Sequence, residues 1–400
     1  MKRTVGTVVR GVRTPIIKEN DDLAEIVTQS ILECAQSENF TINNKDVIGV
    51  TEAVVARSQG NYASVEQIAA AVKKIFPSGH AGVVFPISSR NRFSIIFKGL
   101  CMGLKKITLQ MSYPSDEVGN ELVSLDMLDE KNINPWTDVF NEEEFRKMFP
   151  VIKHRFTGMD YMKYYHEIAD ECNCELEIIL ANDVRAILNY QQEIICADIH
   201  SRFRSKRLLK AAGCKKISGL DEILISPESN SGYNPDYGLL GSNKATENTI
   251  KLFPRDCHDF VLDVQAKIFA KTGKKVEVLV YGDGAFCDPV GHIWELADPV
   301  VSPAFTDGLF GKPNEIKLKY LADNDFADLS GDKLKEAISN YIRSKSSDLK
   351  DSMQSMGTTP RNISDLIGSL CDLTSGSGDK GTPVIFIQGY FDDYSKDQKL

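Results

Sequence analysis

Hydrophobic positions along most of the chain follow the spacings of short strands and amphipathic helices in alternation. Strand patterns are predicted over 47–56, 81–87, 107–111, 174–181, 193–198, 276–289 and 384–391. Helical patterns are predicted over 23–36, 65–76, 142–149, 161–170, 203–212, 259–273 and 363–374. Because strands that alternate with helices of this length are typical of α/β domains, the pattern predicts the α/β class.

The stretch 222–289 is predicted to form a βαβ unit. It combines a strand over 222–228, a glycine-containing loop over 229–243, and the helix and strand that follow. Acidic residues lie after both strands, where α/β sheets usually bind ligands. Asp236, Asp283 and Asp288 are therefore candidate ligands for a hard cation that serves a phosphate-bearing substrate.

Asp283 and Asp236 also have a plain structural interpretation, as residues of turns. Asp283 lies between Gly282 and Gly284, and Asp236 lies in Asn-Pro-Asp-Tyr-Gly. Both sequences are typical of turns. The residue pattern alone leaves the turn and the metal ligand open.

Two further segments are candidate phosphate sites. Ser58, Gly60 and Asn61 follow the first buried strand pattern, where N–H groups and a hydroxyl can bind phosphates; an ordinary βα loop is the alternative. Arg90 also follows a strand and carries a guanidinium that can bind phosphate; a solvated surface side chain is the alternative. The sequence contains no P-loop motif.

Composition narrows the function classes. A net charge of −9 over 400 residues disfavours a general nucleic-acid binder, and the length suggests two or three domains. The nine cysteines form no zinc framework, Cys172 and Cys174 being the one close pair, so reduced thiols are expected. Motifs of zinc and serine hydrolases are lacking, and the absence of a signal peptide or a long apolar run predicts a cytoplasmic protein.

Three blocks of sequence, taken in order, resemble the coenzyme F420-0:γ-glutamyl ligase family. The blocks are PIIKENDDLAEIV with KDVIGVTEAVVARSQGN, then SNSGYNPDYG with LFPRDCHDFVLDVQAKIFAKTGKKVEVLVYGD, then ISDLIGSLCDLTSGSGDKGTPVIFIQG. Members of this family use GTP to add glutamate to a deazaflavin cofactor precursor.

The resemblance implies mixed sheets with flanking helices and an inserted α/β section, an α/β (α+β) architecture. The expected parts are a first core segment (1–90), the inserted section (91–220), a central metal and nucleotide segment (221–310) and closing helices with a last strand (311–400). It also implies Mg²⁺ or Mn²⁺, GTP and L-glutamate as ligands, a small-molecule carboxylate as acceptor, and a homodimer. By the same resemblance, GTP would convert the carboxylate to an acyl phosphate that the amine attacks.

Only some of the family's functional residues have a match in this sequence. Asp283 matches the family's metal-binding aspartate, and Gly60 matches a loop glycine near the nucleotide. The family's loop aspartate aligns with Asn234, and Asp236 follows two positions later.

Four departures affect charged or polar positions of the family. Ala53 stands near a usual lysine, Gln59 at a loop acid, Gly284 at a threonine and Gln388 at an arginine. Without the lysine near Ala53 and the arginine at Gln388, fewer positively charged side chains would be present to bind a triphosphate. A non-catalytic descendant that binds a nucleotide or a metabolite is therefore the alternative to a ligase.

Overall fold

The computed structural model describes residues 4–154, 157–282, 298–349, 352–355, 361–376 and 378–395. The chain divides into two compact units. The first consists of Met1–Val55, Asp256–Gly284 and Val300–Leu400, and the second of Ala56–Arg255 and Ala285–Pro299. Three sheets with flanking helices confirm the mixed α/β class that the sequence predicts.

The strands of the described residues are short. They are β1 (Val8–Val12), β2 (Val47–Thr51), β3 (Tyr62–Ser64), β4 (His80–Val84), β5 (Lys106–Met111), β6 (Phe140–Asn141), β7 (Glu175–Leu180), β8 (Glu193–Cys196), β9 (Lys216–Gly219), β10 (Asn243–Thr246), β11 (Thr249–Lys251), β12 (Glu277–Tyr281), β13 (Ala304–Phe305) and β14 (Val384–Gln388).

The α-helices of the described residues lie between these strands. They are α1 (Leu23–Ser37), α2 (Glu52–Ser58), α3 (Val65–Ile75), α4 (Phe93–Gly103), α5 (Leu125–Glu130), α6 (Glu142–Met148), α7 (Tyr161–Glu171), α8 (Arg202–Ala211), α9 (Cys257–Thr272), α10 (Leu318–Tyr320), α11 (Gly331–Ser344) and α12 (Ile363–Ser375). No helix in these described ranges has the length and apolar character that a membrane span needs.

The first unit is built on a five-stranded mixed sheet in the order β1-β14-β2-β12-β13. Strands β2 and β12 are parallel, whereas β14 is antiparallel to β1 and β2. Alternate residues of the central strands face opposite cores: Ile48 packs with helices α1 and α9, and Val47 packs with helix α12. Because both faces are covered, the central strands are largely apolar, which is why the sequence shows hydrophobic runs there.

Helix α1 begins where the sequence predicts it. The side chain of Asp22 accepts a hydrogen bond from the backbone N–H of Glu25 at 2.9 Å. This cap satisfies one of the N–H groups that a helix leaves without an intrahelical partner. In the second unit, Ser64 and Gln67 form a reciprocal capping box at the start of α3, where the sequence predicts a helix over 65–76.

The second unit contains a six-stranded sheet in the order β6-β7-β5-β4-β8-β9. Its five strands from β7 to β9 are mutually parallel, and β6 pairs antiparallel with β7 at the edge. Across the sheet from β7 to β9, these five parallel strands are the third, second, first, fourth and fifth of the set in chain order. This is a doubly wound arrangement in which the strand order reverses between β4 and β8. Helices α3, α4 and α7 share a core with one face, and α8 packs against the other.

The predicted strand over 222–228 is wrong. A 3₁₀ turn covers Leu220–Glu222, and Leu224 has a φ of 61°, which is incompatible with an extended strand. Ile223 and Leu224 are nonetheless buried in the core of the second unit. Their apolar character reflects this burial in an irregular segment, so the expected βαβ unit over 222–289 does not form.

The first strand pattern, over 47–56, is shorter than predicted. Strand β2 ends at Thr51 and α2 begins directly at Glu52, so Ser58 lies at the end of a helix. The apolar residues after Thr51 serve this short helix. Ser58 therefore does not lie directly after a buried strand, contrary to the sequence prediction.

Candidate functional site

The candidate site in the second unit is organised around Asn61, whose side chain is fully buried. Its Nδ2 donates a hydrogen bond to the carbonyl of Phe253 at 2.9 Å. Its Oδ1 accepts from the backbone N–H of Tyr233 at 2.9 Å and from Arg255 Nη1 at 2.7 Å. One amide therefore joins three segments that are far apart in sequence, and all three belong to the blocks that carry the family resemblance.

Gln59 forms a reciprocal pair with the backbone of Arg255. Gln59 Nε2 donates to the Arg255 carbonyl at 2.5 Å, and Gln59 Oε1 accepts from the Arg255 N–H at 3.1 Å. An ionised carboxylate has acceptors only and cannot make the first of these bonds. The glutamine at this position, where the family resemblance expects an acid, therefore fits its backbone partner.

Asn234 anchors the turn that carries Asp236. Its Nδ2 donates to the carbonyls of Phe253 and Pro254, at 3.1 and 2.9 Å. Its Oδ1 accepts from the backbone N–H groups of Asp236 and Tyr237, each at 2.9 Å. An aspartate could not donate to the two carbonyls, so Asn234 has a structural role that its amide alone can perform.

The turn also approaches the Asn61 segment closely at Gly232. A Cβ at Gly232 would lie 2.5 Å from Asn61 Oδ1 and 2.7 Å from the backbone nitrogen of Tyr62. Side-chain carbon atoms do not pack at such distances, so only glycine fits there. This contact holds the Asp236 turn against the loop at 59–61.

Arg255 is a site residue that the sequence interpretation missed. Its guanidinium lies over the Tyr233 ring, with Cζ 4.8 Å from the ring centroid, in addition to its bond with Asn61. A single arginine before a helix has no spacing signal of its own. The available signal was its place in the LFPRD sequence of the second resemblance block.

The predicted ligands are only partly described. Asp236 is exposed on its turn, whereas Asp283 and Asp288, together with Gly284, lie outside the described residues. Within the described ranges there is no group of three histidine, cysteine or acidic side chains that could hold a metal ion. Arg90 is exposed on the loop after β4. Asn61 and the Asp236 turn lie in the same part of the second unit, because Asn61 and Asn234 both donate to the Phe253 carbonyl.

Gln388, in the first unit, replaces an arginine that the resemblance expects. It is fully buried, and its Oε1 accepts a hydrogen bond from Arg10 Nη1 at 2.7 Å. Its Nε2 donates to the carbonyl of Thr41 at 3.0 Å and to Asp46 Oδ2 at 3.1 Å. The guanidinium near this strand end therefore comes from Arg10 of β1.

A buried acid lies at the carboxyl edge of the doubly wound sheet, a second feature that the sequence did not reveal. Asp198 follows β8, is fully buried and accepts hydrogen bonds from the hydroxyls of Ser201 and Ser205 at 2.8 and 2.7 Å. Burial raises the pKa of Asp198 to about 6, and the nearby Glu117 carboxylate adds to this effect. Its Oδ1 has no hydrogen-bond partner among the described residues.

The three blocks that carry the family resemblance meet in one sheet. The first contributes β2, the second contributes β12 and the third contributes β14, and these are the three central strands of the first unit. No curated protein matches the chain. The model of the F420-0:gamma-glutamyl ligase family matches residues 11–389. Since this match spans nearly the whole chain, the protein belongs to the F420-0:gamma-glutamyl ligase family.

Proposed function

We propose that the protein is a GTP-dependent γ-glutamyl ligase. A carboxylate oxygen of a small-molecule acceptor attacks the γ-phosphorus of GTP, which forms an acyl phosphate and releases GDP. The amine of L-glutamate then attacks the acyl carbon, the C–O bond to phosphate breaks, and the amine loses a proton as the amide forms. The observation that carries the proposal is the family match over residues 11–389.

The metal that the family resemblance implies is assigned to Asp236 with Asp283 and Asp288. Carboxylate oxygens are suitable ligands for Mg²⁺ or Mn²⁺, and Asp236 is exposed on a turn fixed by Asn234. When bound, the metal would neutralise negative charge on the phosphates. Of the three aspartates, only Asp236 lies within the described residues. The metal assignment therefore needs a test at Asp283 as well.

The nucleotide is assigned to the segment around Ser58, Gly60 and Asn61, with Arg90 as a further cation. Gly60 has a φ of 58°, and the side chain of Asn61 is already bonded to three protein partners. The segment would therefore act through its backbone, with Asn61 holding its shape. We include the homodimer and a cytoplasmic location in the proposal because the family resemblance implies the first and the sequence the second.

Calorimetry with GTP and Mn²⁺, followed by phosphate release in the presence of F420-0 and L-glutamate, tests the proposal. We expect binding and turnover in the wild type and loss of turnover in Asp236→Asn and Asp283→Asn. Asp263→Asn, at an exposed position of α9, is the matched control and should behave as wild type. Absence of GTP binding to the wild type would refute the ligase, and so would wild-type turnover in all three variants. Sedimentation of the same samples tests the dimer.

The second candidate is a non-catalytic descendant that binds a nucleotide or a metabolite. Two observations favour it: Gln59 and Gln388 are neutral where the resemblance expects charged groups, and internal hydrogen bonds satisfy both amides. GTP binding without phosphate release, and with no amide product, would support this candidate over the ligase.

A further inference from the structure

A cavity of about 200 Å³ lies in the first unit, beside the turn that follows β14. Cavities of roughly 150 Å³ in proteins hold a molecule of the size of benzene. The cavity is therefore large enough for a small organic head group. None of the residues assigned above to the metal or the nucleotide lines it.

Tyr390 and Phe391 form an aromatic corner of this cavity. Their ring centroids are 5.3 Å apart, and the ring planes are inclined at 79°. Both rings and the neighbouring Ile363 pack against the apolar core between the sheet and α12. The backbone N–H of Asp392 donates to the carbonyl of Gly389 at 3.1 Å, which closes the turn that carries the rings. The corner is thus fixed by the core and by its own turn.

The segment 313–315 forms a second wall of the cavity. Lys345 Nζ donates to the carbonyl of Asn314 at 2.6 Å, and Asn314 Nδ2 donates to the carbonyl of Ser346 at 3.0 Å. Asn314 Oδ1 accepts from the backbone N–H of Leu349 at 3.1 Å. Because these bonds hold the segment to the chain that follows α11, this wall is also shaped before any ligand binds.

The charged side chains make the cavity anionic. The carboxylates of Glu315, Asp392 and Asp393 line it and are exposed, whereas the aromatic side chains are partly buried. The ammonium of Lys345 is the one positive charge in the lining, and it is bonded to a backbone carbonyl. Asp393 Oδ1 already accepts from the N–H and the hydroxyl of Ser395, at 2.9 and 2.6 Å, so it would act on a ligand mainly through its charge.

The cavity and the segment assigned to the metal lie towards opposite edges of the first sheet. Ile387, near the end of β14, pairs with Val47, the first residue of β2. Thr51, the last residue of β2, pairs with Tyr281, from which the chain continues to Asp283. The length of β2, roughly 13 Å, separates the two edges. The cavity is therefore a site distinct from the proposed ligase chemistry.

We propose that this cavity binds an organic cation with a quaternary ammonium head group. The ring faces of Tyr390 and Phe391 attract the cation, and the carboxylates of Glu315, Asp392 and Asp393 balance its charge. A quaternary ammonium suits this lining better than a primary one, because its methyl groups present an apolar surface and it has no proton to donate. The negative charge of the lining disfavours GTP and L-glutamate, which are anions.

Titration of the full-length protein with choline tests the proposal without GTP or metal, at constant ionic strength. The saturation-transfer NMR signal of the N-methyl protons measures binding. Neohexyl alcohol, in which carbon replaces the nitrogen of choline, is the matched neutral ligand. We expect choline to bind about tenfold more tightly than this alcohol, because the alcohol lacks the attraction to ring faces and carboxylates.

Glu315→Gln tests the place of binding. Glu315 is exposed and makes no hydrogen bond or ion pair with any residue that the structure describes, so the variant should fold as the wild type does. We expect it to weaken choline binding about threefold, since one carboxylate of the lining is lost. Glu336→Gln is the matched control, because Glu336 is exposed on α11 and does not line the cavity.

Three results would overturn the proposal. The first is the absence of a saturable choline signal, and the second is equal affinity for choline and neohexyl alcohol. The third is equal choline affinity in Glu315→Gln and Glu336→Gln, which would place the bound cation elsewhere. Thermal unfolding of both variants, expected at the wild-type temperature, separates a change in binding from a change in folding.

Discussion

Glu117 caps helix α8 through Ser201: its Oε2 accepts hydrogen bonds from the backbone N–H of Ser201 at 3.2 Å and from the Ser201 hydroxyl at 3.1 Å. Glu117 follows β5 and Ser201 follows β8, and β4 lies between these strands in the sheet. The carboxylate therefore links the two loops that flank the carboxyl end of the central strand, at the point where the strand order reverses.

Replacing Glu117 with glutamine should destabilise the second unit by about 1–2 kcal/mol, because an anion favourable to the helix N-terminus is lost. Chemical denaturation followed by circular dichroism measures the change. Glu130→Gln, at an exposed position of α5, provides the control and should leave the midpoint unchanged. An unchanged midpoint in Glu117→Gln would show that the cap contributes nothing.

The stability contribution of Asp198 should depend on pH. Its pKa is raised to about 6 in the folded protein, so the folded state holds the proton more tightly than the unfolded state. The stabilisation is complete below about pH 4 and is lost as the pH rises through about 6. The difference in unfolding free energy, wild type minus Asp198→Asn, should therefore fall by about 1–3 kcal/mol between pH 4.5 and pH 7.5. A difference that is constant over this range would contradict a raised pKa.

Asn61→Ala should cost about 2–4 kcal/mol of stability, because it removes three buried hydrogen bonds at once, those with the Phe253 carbonyl, the Tyr233 N–H and the Arg255 guanidinium. Thermal unfolding of the variant measures this effect. Asn248→Ala is the matched control, since Asn248 is exposed in a turn of the same unit. If the two variants unfold at the same temperature, Asn61 does not hold the three segments together.

Gly49→Ala should destabilise the first unit by about 2 kcal/mol or more through overpacking. A Cβ at Gly49 would collide with Cys371 Sγ and lie 3.3 Å from Tyr281 Cδ1. Removal of the sulfur in the Gly49→Ala/Cys371→Ala double variant should recover part of the loss, and a double-mutant cycle measures this coupling. Gly6→Ala, where a Cβ would meet nothing within 4 Å, is the control. A purely additive cycle would contradict the steric explanation.

Local signals predicted the parts of the fold that local chemistry determines. The helices that begin at Leu23 and Val65 and the apolar runs of β2, β12 and β14 were predicted from the sequence. The order of the doubly wound sheet was not, because pairs such as Gly82 with Ile194 join strands far apart in the chain. The segment around Leu224 was mistaken for a strand since burial alone produced its hydrophobic pattern.

The candidate site was predictable to a smaller degree. The turn residues Gly60 and Asn234 were visible as members of resemblance blocks, but the partners that satisfy Asn61 and Gln59 come from elsewhere in the chain. Hydrogen bonds between distant segments leave no periodic trace in a single sequence. The metal role of Asp236 and Asp283 and the nucleotide role of Ser58 and Arg90 stay predictions.

The sheet of the first unit has a consequence for biosynthesis. Strand β2 leaves the ribosome early, but its neighbours β12 and β14 follow only after more than 200 further residues. The six-stranded sheet of the second unit, complete at Gly219, is synthesised entirely within this interval. Since non-local pairing is slow and unpaired strands aggregate, β2 must stay unpaired while the other sheet forms. Newly made chains should therefore need protection at Val47–Thr51 until synthesis ends.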